Sequence, residues 1–133
     1  MDIDIKQSSP GSQQGIVLLE ALIAILIFSM GILAVVGLQA AMIKNTSDAR
    51  FRSEAGFIAQ QRIGLIWSDP ANAGAFLEAS PGTDISTILP GGTRTTEQIS
   101  PGEFRVTVNW MPPSETGSPV THTYVMVARV AGG

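Results

Sequence analysis

The chain has 133 residues, a formal net charge of −3 and only 14% charged residues, so it has the length of one small domain and none of the clustered Lys and Arg that a nucleic-acid footprint needs. It contains no cysteine and one histidine, which excludes a disulfide framework, a thiol nucleophile and a Cys/His metal cluster. The 44% hydrophobic content is unevenly placed: residues 16–43 hold 23 of the 59 hydrophobic residues, which excludes a uniform soluble globule.

Residues 1–15 (MDIDIKQSSPGSQQG) are polar, carry Pro10, Gly11 and Gly15, and show no periodicity, so they read as a flexible leader. Residues 16–43 are almost continuously apolar, interrupted by Glu20, Ser29 and Gln39, with Gly31 and Gly37 as weak points. As a helix this run measures about 42 Å at ~1.5 Å per residue, and a bilayer core needs only about 20 residues. A cleaved secretory signal fits poorly. Asp2 and Asp4 outweigh Lys6 in the leader, the apolar run is too long, and no Ala-x-Ala site follows it.

From Lys44 to Trp67 the pattern is amphipathic, with Phe51, Ala55, Ile58, Ala59 and Ile66 on one stripe. Arg62 falls in that stripe, where its stem packs and its head snorkels outward. Pro70 disfavours helix at Asp69, so the spacing predicts one helix from Ile16 to about Ser68. Residues 71–102 read as loop, punctuated by Pro81, Pro90, Gly91, Gly92 and Pro101. The period then becomes two: Phe104, Val106, Val108 and Trp110 alternate with polar residues, as in a half-buried strand. MPPSETGSP (111–119) is a turn-rich connection, and Val120 to Val130 is a second β-rich run with apolar residues at both parities. A two-stranded hairpin is marginal alone, and the amphipathic half of the helix is the surface available to it.

No catalytic constellation is apparent. His122 reads as a strand-face histidine, Gly91-Gly92 as a turn rather than a phosphate loop, and no Gly-x-Ser-x-Gly elbow occurs. Trp67 and Trp110 read as contacts between the helix end and a strand, with an exposed Trp67 as the alternative. Neither an enzyme nor a cofactor is expected.

The feature that needs a reason is Glu20, because a carboxylate inside hydrocarbon costs on the order of 3 kcal/mol. It closes the segment Gly15-Ile16-Val17-Leu18-Leu19-Glu20, which follows a polar leader and opens a long apolar helix. That arrangement resembles the prepilin signature of type IV pilins and type II secretion pseudopilins. The run IVLLEALIAILIFSMGILAVVGLQ and its continuation through AGFIAQQRIGLIW look like the PilV group of minor pilins, as does, more weakly, the strand ending in Trp110.

The resemblance implies an α+β, type IV pilin-like lollipop: a long N-terminal helix, its first half transmembrane, packed on a small antiparallel β-sheet. It divides the chain into a leader (1–15), a transmembrane and assembly helix (16–43), an amphipathic continuation (44–68) and a β-rich periplasmic domain (69–133). It further implies cleavage between Gly15 and Ile16 by a prepilin peptidase, N-methylation of Ile16, and use of Glu20 in assembly. The implied partners are other major and minor pilins, the peptidase, the inner-membrane assembly platform and membrane lipid, with no nucleic acid. The implied location is the inner membrane, single-pass with the C-terminal domain in the periplasm, and then the pilus at the cell surface. Lys44, Arg50 and Arg52 follow the apolar run, so a plain positive-inside count gives the opposite orientation. A minor pseudopilin, and an uncleaved bitopic protein with a small periplasmic binding domain, are the alternatives. Glu20 snorkelling to the headgroups is the plainer reading of that residue.

Overall fold

The computed structural model describes residues 1, 3, 11–113 and 118–130. One helix, α1, runs from Gly11 to Ser68. A 3-10 turn over Pro70–Phe76 follows, and then four strands: β1 (Glu78–Asp84), β2 (Thr93–Ser100), β3 (Glu103–Trp110) and β4 (His122–Arg129). The strands form one antiparallel sheet in the order β1-β2-β3-β4. The class is α+β, a long N-terminal helix with a small antiparallel sheet. The chain divides into two compact units, Met1–Lys44 and Asn45–Gly133.

In the first unit every described side chain of residues 16–43 is exposed. The helix is long and apolar enough to cross a membrane. α1 begins at Gly11, five residues before the expected Ile16. Extending a formed helix adds one hydrogen bond per residue fixed, with no second nucleation, so Gln13 and Gln14 continue it readily. Residues 2 and 4–10, within the expected leader, lie outside the described residues.

In the second unit the amphipathic stripe forms the core. Ala55, Ile58, Ala59, Ile63 and Ile66 of α1 are buried with Phe104, Val106, Val108 and Trp110 of β3, with Ile85 and Leu89 from the β1–β2 connection, and with Val130. β3 alternates buried and half-buried along its whole length, as its period of two requires. Gly56 of the helix faces Tyr124 of β4. A Cβ there would lie 3.6 Å from the Tyr124 ring, so the ring rests directly on the helix surface.

The region 71–102, expected as loop, contributes half the sheet. Its strands lack apolar alternation because little of them is buried. β2 (TRTTEQIS) buries only Thr96, and β1 (EASPGTD) buries nothing fully. Their pairing rests on the ladder and on polar side chains rather than on a hydrophobic face. Trp67 also departs from expectation: it is 59% exposed, whereas Trp110 is 2% exposed and stacks on the His122 ring at 5.6 Å. Of the connection 111–119, residues 114–117 lie outside the described residues.

Candidate functional site

Gly15, Ile16 and Glu20 all lie on α1. Ile16 is 67% exposed and Glu20 is exposed, one helical turn further on. At a spacing of four they share one face, separated by a rise of about 6 Å. A Cβ added at Gly15 would meet nothing within 4 Å. Gly91 is different, since its φ of 58° calls for glycine. Nothing in the fold requires glycine at position 15, and there it lowers helix stability by about 1 kcal/mol relative to Ala. The Gly15–Ile16 peptide bond lies inside the helix. A peptidase that takes its substrate extended must first unwind this turn.

The arrangement offers a bare backbone at position 15 and an apolar residue after it. It then presents a carboxylate that accepts hydrogen bonds and pairs with a cation. Among the described residues no side chain of the chain itself bonds to Glu20. Likewise, among the described residues no group of three or more His, Asp or Glu side chains could hold a metal ion.

The densest polar cluster is elsewhere and was not legible in the sequence. Glu78, at the start of β1, accepts hydrogen bonds from Arg94 through Nε (2.9 Å) and Nη2 (2.7 Å). It also accepts from the hydroxyls of Thr96 (2.8 Å) and Thr83. Arg62 of α1 approaches the same carboxylate at 3.3 Å, donates to the Phe76 carbonyl at 2.7 Å and lies 5.5 Å from the Phe76 ring centre. The head of Arg62 is therefore held inside the domain rather than snorkelling. Burial pushes the Glu78 carboxyl up, but the bonds from Arg94, Thr83 and Thr96 outweigh it and bring the pKa down to about 2. The cluster ties helix, 3-10 turn, β1 and β2 together. Its partners are 16 or more residues apart in sequence for every bond except those of Thr83 and Phe76, so spacing gives no signal for it.

Comparison with protein-family models, with curated proteins and with solved structures gives no match.

Proposed function

We propose that the chain is a non-enzymatic filament subunit, a minor pilin of the PilV type. In this reading it is stored in the inner membrane by residues 16–43, with its sheet domain in the periplasm, and acts in initiating or modifying a type IV pilus. The observation that carries the reading is the segment Gly15-Ile16-Val17-Leu18-Leu19-Glu20 at the head of a helix whose next 23 residues (21–43) are all exposed. That much uncovered apolar surface requires lipid first and neighbouring helices afterwards.

The chemistry follows from two groups. Hydrolysis of the Gly15–Ile16 bond by the prepilin peptidase leaves a carboxylate on Gly15 and an ammonium on Ile16, where methylation keeps the charge. The Glu20 carboxylate of a neighbouring subunit neutralises that ammonium in an apolar layer, where pairing is far stronger than in water. A subunit lacking the carboxylate leaves the neighbour's ammonium buried and uncompensated, at a cost of about 3 kcal/mol or more. Partners in this reading are other pilins, the peptidase, the assembly platform and lipid.

The test is incorporation. Glu20→Gln and Glu20→Leu should insert and be cleaved like the parent, because the carboxylate lies beyond the scissile bond and only burdens insertion. Both should accumulate as cleaved membrane protein and be at least tenfold depleted from sheared surface filaments. Equal incorporation of both variants would remove the charge-pairing mechanism and favour snorkelling of Glu20. One observation favours a second reading, an uncleaved single-pass protein with a periplasmic binding domain: α1 runs unbroken across the Gly15–Ile16 bond.

A further inference from the structure

The apolar half of α1 carries no charge between Glu20 and Lys44. Those 23 residues (21–43) measure about 34 Å as a helix, close to a hydrocarbon core of about 30 Å. Two hydrogen-bonding side chains fall inside, Ser29 and Gln39. Ser29 is answered within the helix, its hydroxyl donating to the Ile25 carbonyl at 2.7 Å. Gln39 is not: it is exposed, and among the described residues nothing in the chain bonds to its amide. It lies about 7 Å before Lys44, so hydrocarbon surrounds it. A primary amide there offers donors and an acceptor that lipid chains cannot answer.

Gln39 stands at one end of a shallow groove along the helix, lined further by Phe28, Gly31, Ile32, Val35 and Val36. Within this face Phe28, Ile32, Val35 and Gln39 step by four, three and four residues, the spacing of a two-helix seam. Gly31 is its low point. A Cβ at position 31 would meet nothing within 4 Å, so the chain itself does not need glycine there. A missing side chain serves a partner helix instead, by letting two backbones approach closely. Glu20 lies about 100° round the helix from Gln39, so the groove does not use that carboxylate.

We propose that this groove joins two copies of the chain in the membrane, parallel and in register, with their Gln39 amides bonded to each other. The occupant follows from depth and chemistry. Copies inserted in one orientation hold their Gln39 side chains at the same level of the bilayer. An amide both donates and accepts, so two at one level satisfy each other. A single buried amide on the seam of a coiled coil fixes register and a two-chain state in the same way. The inference rests on the membrane-spanning part of the reading above and is independent of cleavage at Gly15 and of Glu20.

The test uses the full chain, made in cells without a prepilin peptidase. The protein has no cysteine, so single introduced cysteines report helix contacts by oxidative cross-linking in isolated membranes. Dimer yield should be about fivefold higher for Ile32→Cys and Val35→Cys than for Met30→Cys and Ala34→Cys, on the far side of the helix. In micelles, sedimentation equilibrium should show a dimer that Gln39→Leu weakens about tenfold, the value of interhelical amide bonds. Gln39→Asn, which keeps the amide, should stay within about threefold of the parent, and Gly31→Leu, which fills the groove, should weaken the dimer as Gln39→Leu does. A monomeric parent, cross-links spread evenly round the helix, or undiminished dimerisation of Gln39→Leu would overturn the proposal. Recovery in the membrane fraction reports the spanning helix separately. A chain absent from that fraction removes the spanning helix and this contact together, whereas a membrane-bound monomer removes the contact alone.

Discussion

The two halves of α1 are both rich in apolar residues, yet one exposes all of them and the other buries a stripe. Residues 16–43 leave every side chain uncovered, whereas Ala55, Ile58, Ala59, Ile63 and Ile66 are buried against the sheet. The difference lies in patterning. A helix apolar all round requires an apolar medium, and a helix apolar on one face requires only one packed neighbour. One continuous helix can thus serve two solvents, with the change of pattern near Lys44 marking where one gives way to the other.

The sharpest way to break this comparison is to cut one branched aliphatic side chain down to alanine in each half. Ile66 is fully buried, so Ile66→Ala should destabilise the sheet domain by about 3 kcal/mol, through lost burial and the cavity left behind. Leu26→Ala, at an exposed position outside the sheet domain, should leave the domain's unfolding midpoint unchanged. Urea unfolding of the full chain in micelles, followed by Trp110 fluorescence, measures both. A matching loss from Leu26→Ala would mean that the apolar half supports the domain.

A comparable loss is expected at the polar cluster. Glu78→Gln leaves Arg62 and Arg94 facing each other without a counter-charge and should cost about 3 kcal/mol. The pH dependence has a definite sign. The folded-state pKa of Glu78, about 2, lies below the ordinary value of 4.5, so the unfolded state binds more protons as the solution is acidified. The stabilisation is complete above about 4.5 and is lost as pH falls toward about 2. Acid titration of the unfolding midpoint should show this dependence in the parent and a flatter curve in Glu78→Gln.

These two sites show how differently sequence reports structure. The stripe, the helix end at Ser68 and strands 103–110 and 122–129 were legible, because each buries one face and period follows burial. β1 and β2 were not, because their stability comes from the ladder and from Glu78, whose partners are remote in sequence. The Pro81 that suggests loop sits in an irregular edge strand that tolerates it. Ile63 is buried although it is not among the residues of the predicted stripe, and Arg62 turns inward where its place in the stripe predicts an outward head. The positions of Glu78 and Phe76 settle that Arg62 turns inward. For the candidate site the residue types were legible, while the helix crossing the Gly15–Ile16 bond was not, since a polar turn ahead of an apolar run has no period of its own.

The smallest expected effect concerns backbone alone. Gly64 lies in the packed half of α1, and a Cβ there would meet nothing within 4 Å. Gly64→Ala should raise domain stability by up to about 1 kcal/mol through helix propensity, read as a higher urea midpoint. A decrease would show that this face of the helix is occupied.

The proposed cut between Gly15 and Ile16 makes one direct demand on the protein itself. The intact mass of the full chain, purified from membranes of cells that carry a prepilin peptidase, should fall by that of residues 1–15, with one added methyl group on an N-terminal Ile16. In cells lacking the peptidase the same preparation should keep the full mass. A chain that retains Met1 through Gly15 in both strains would contradict the filament-subunit account and leave an uncleaved single-pass membrane protein.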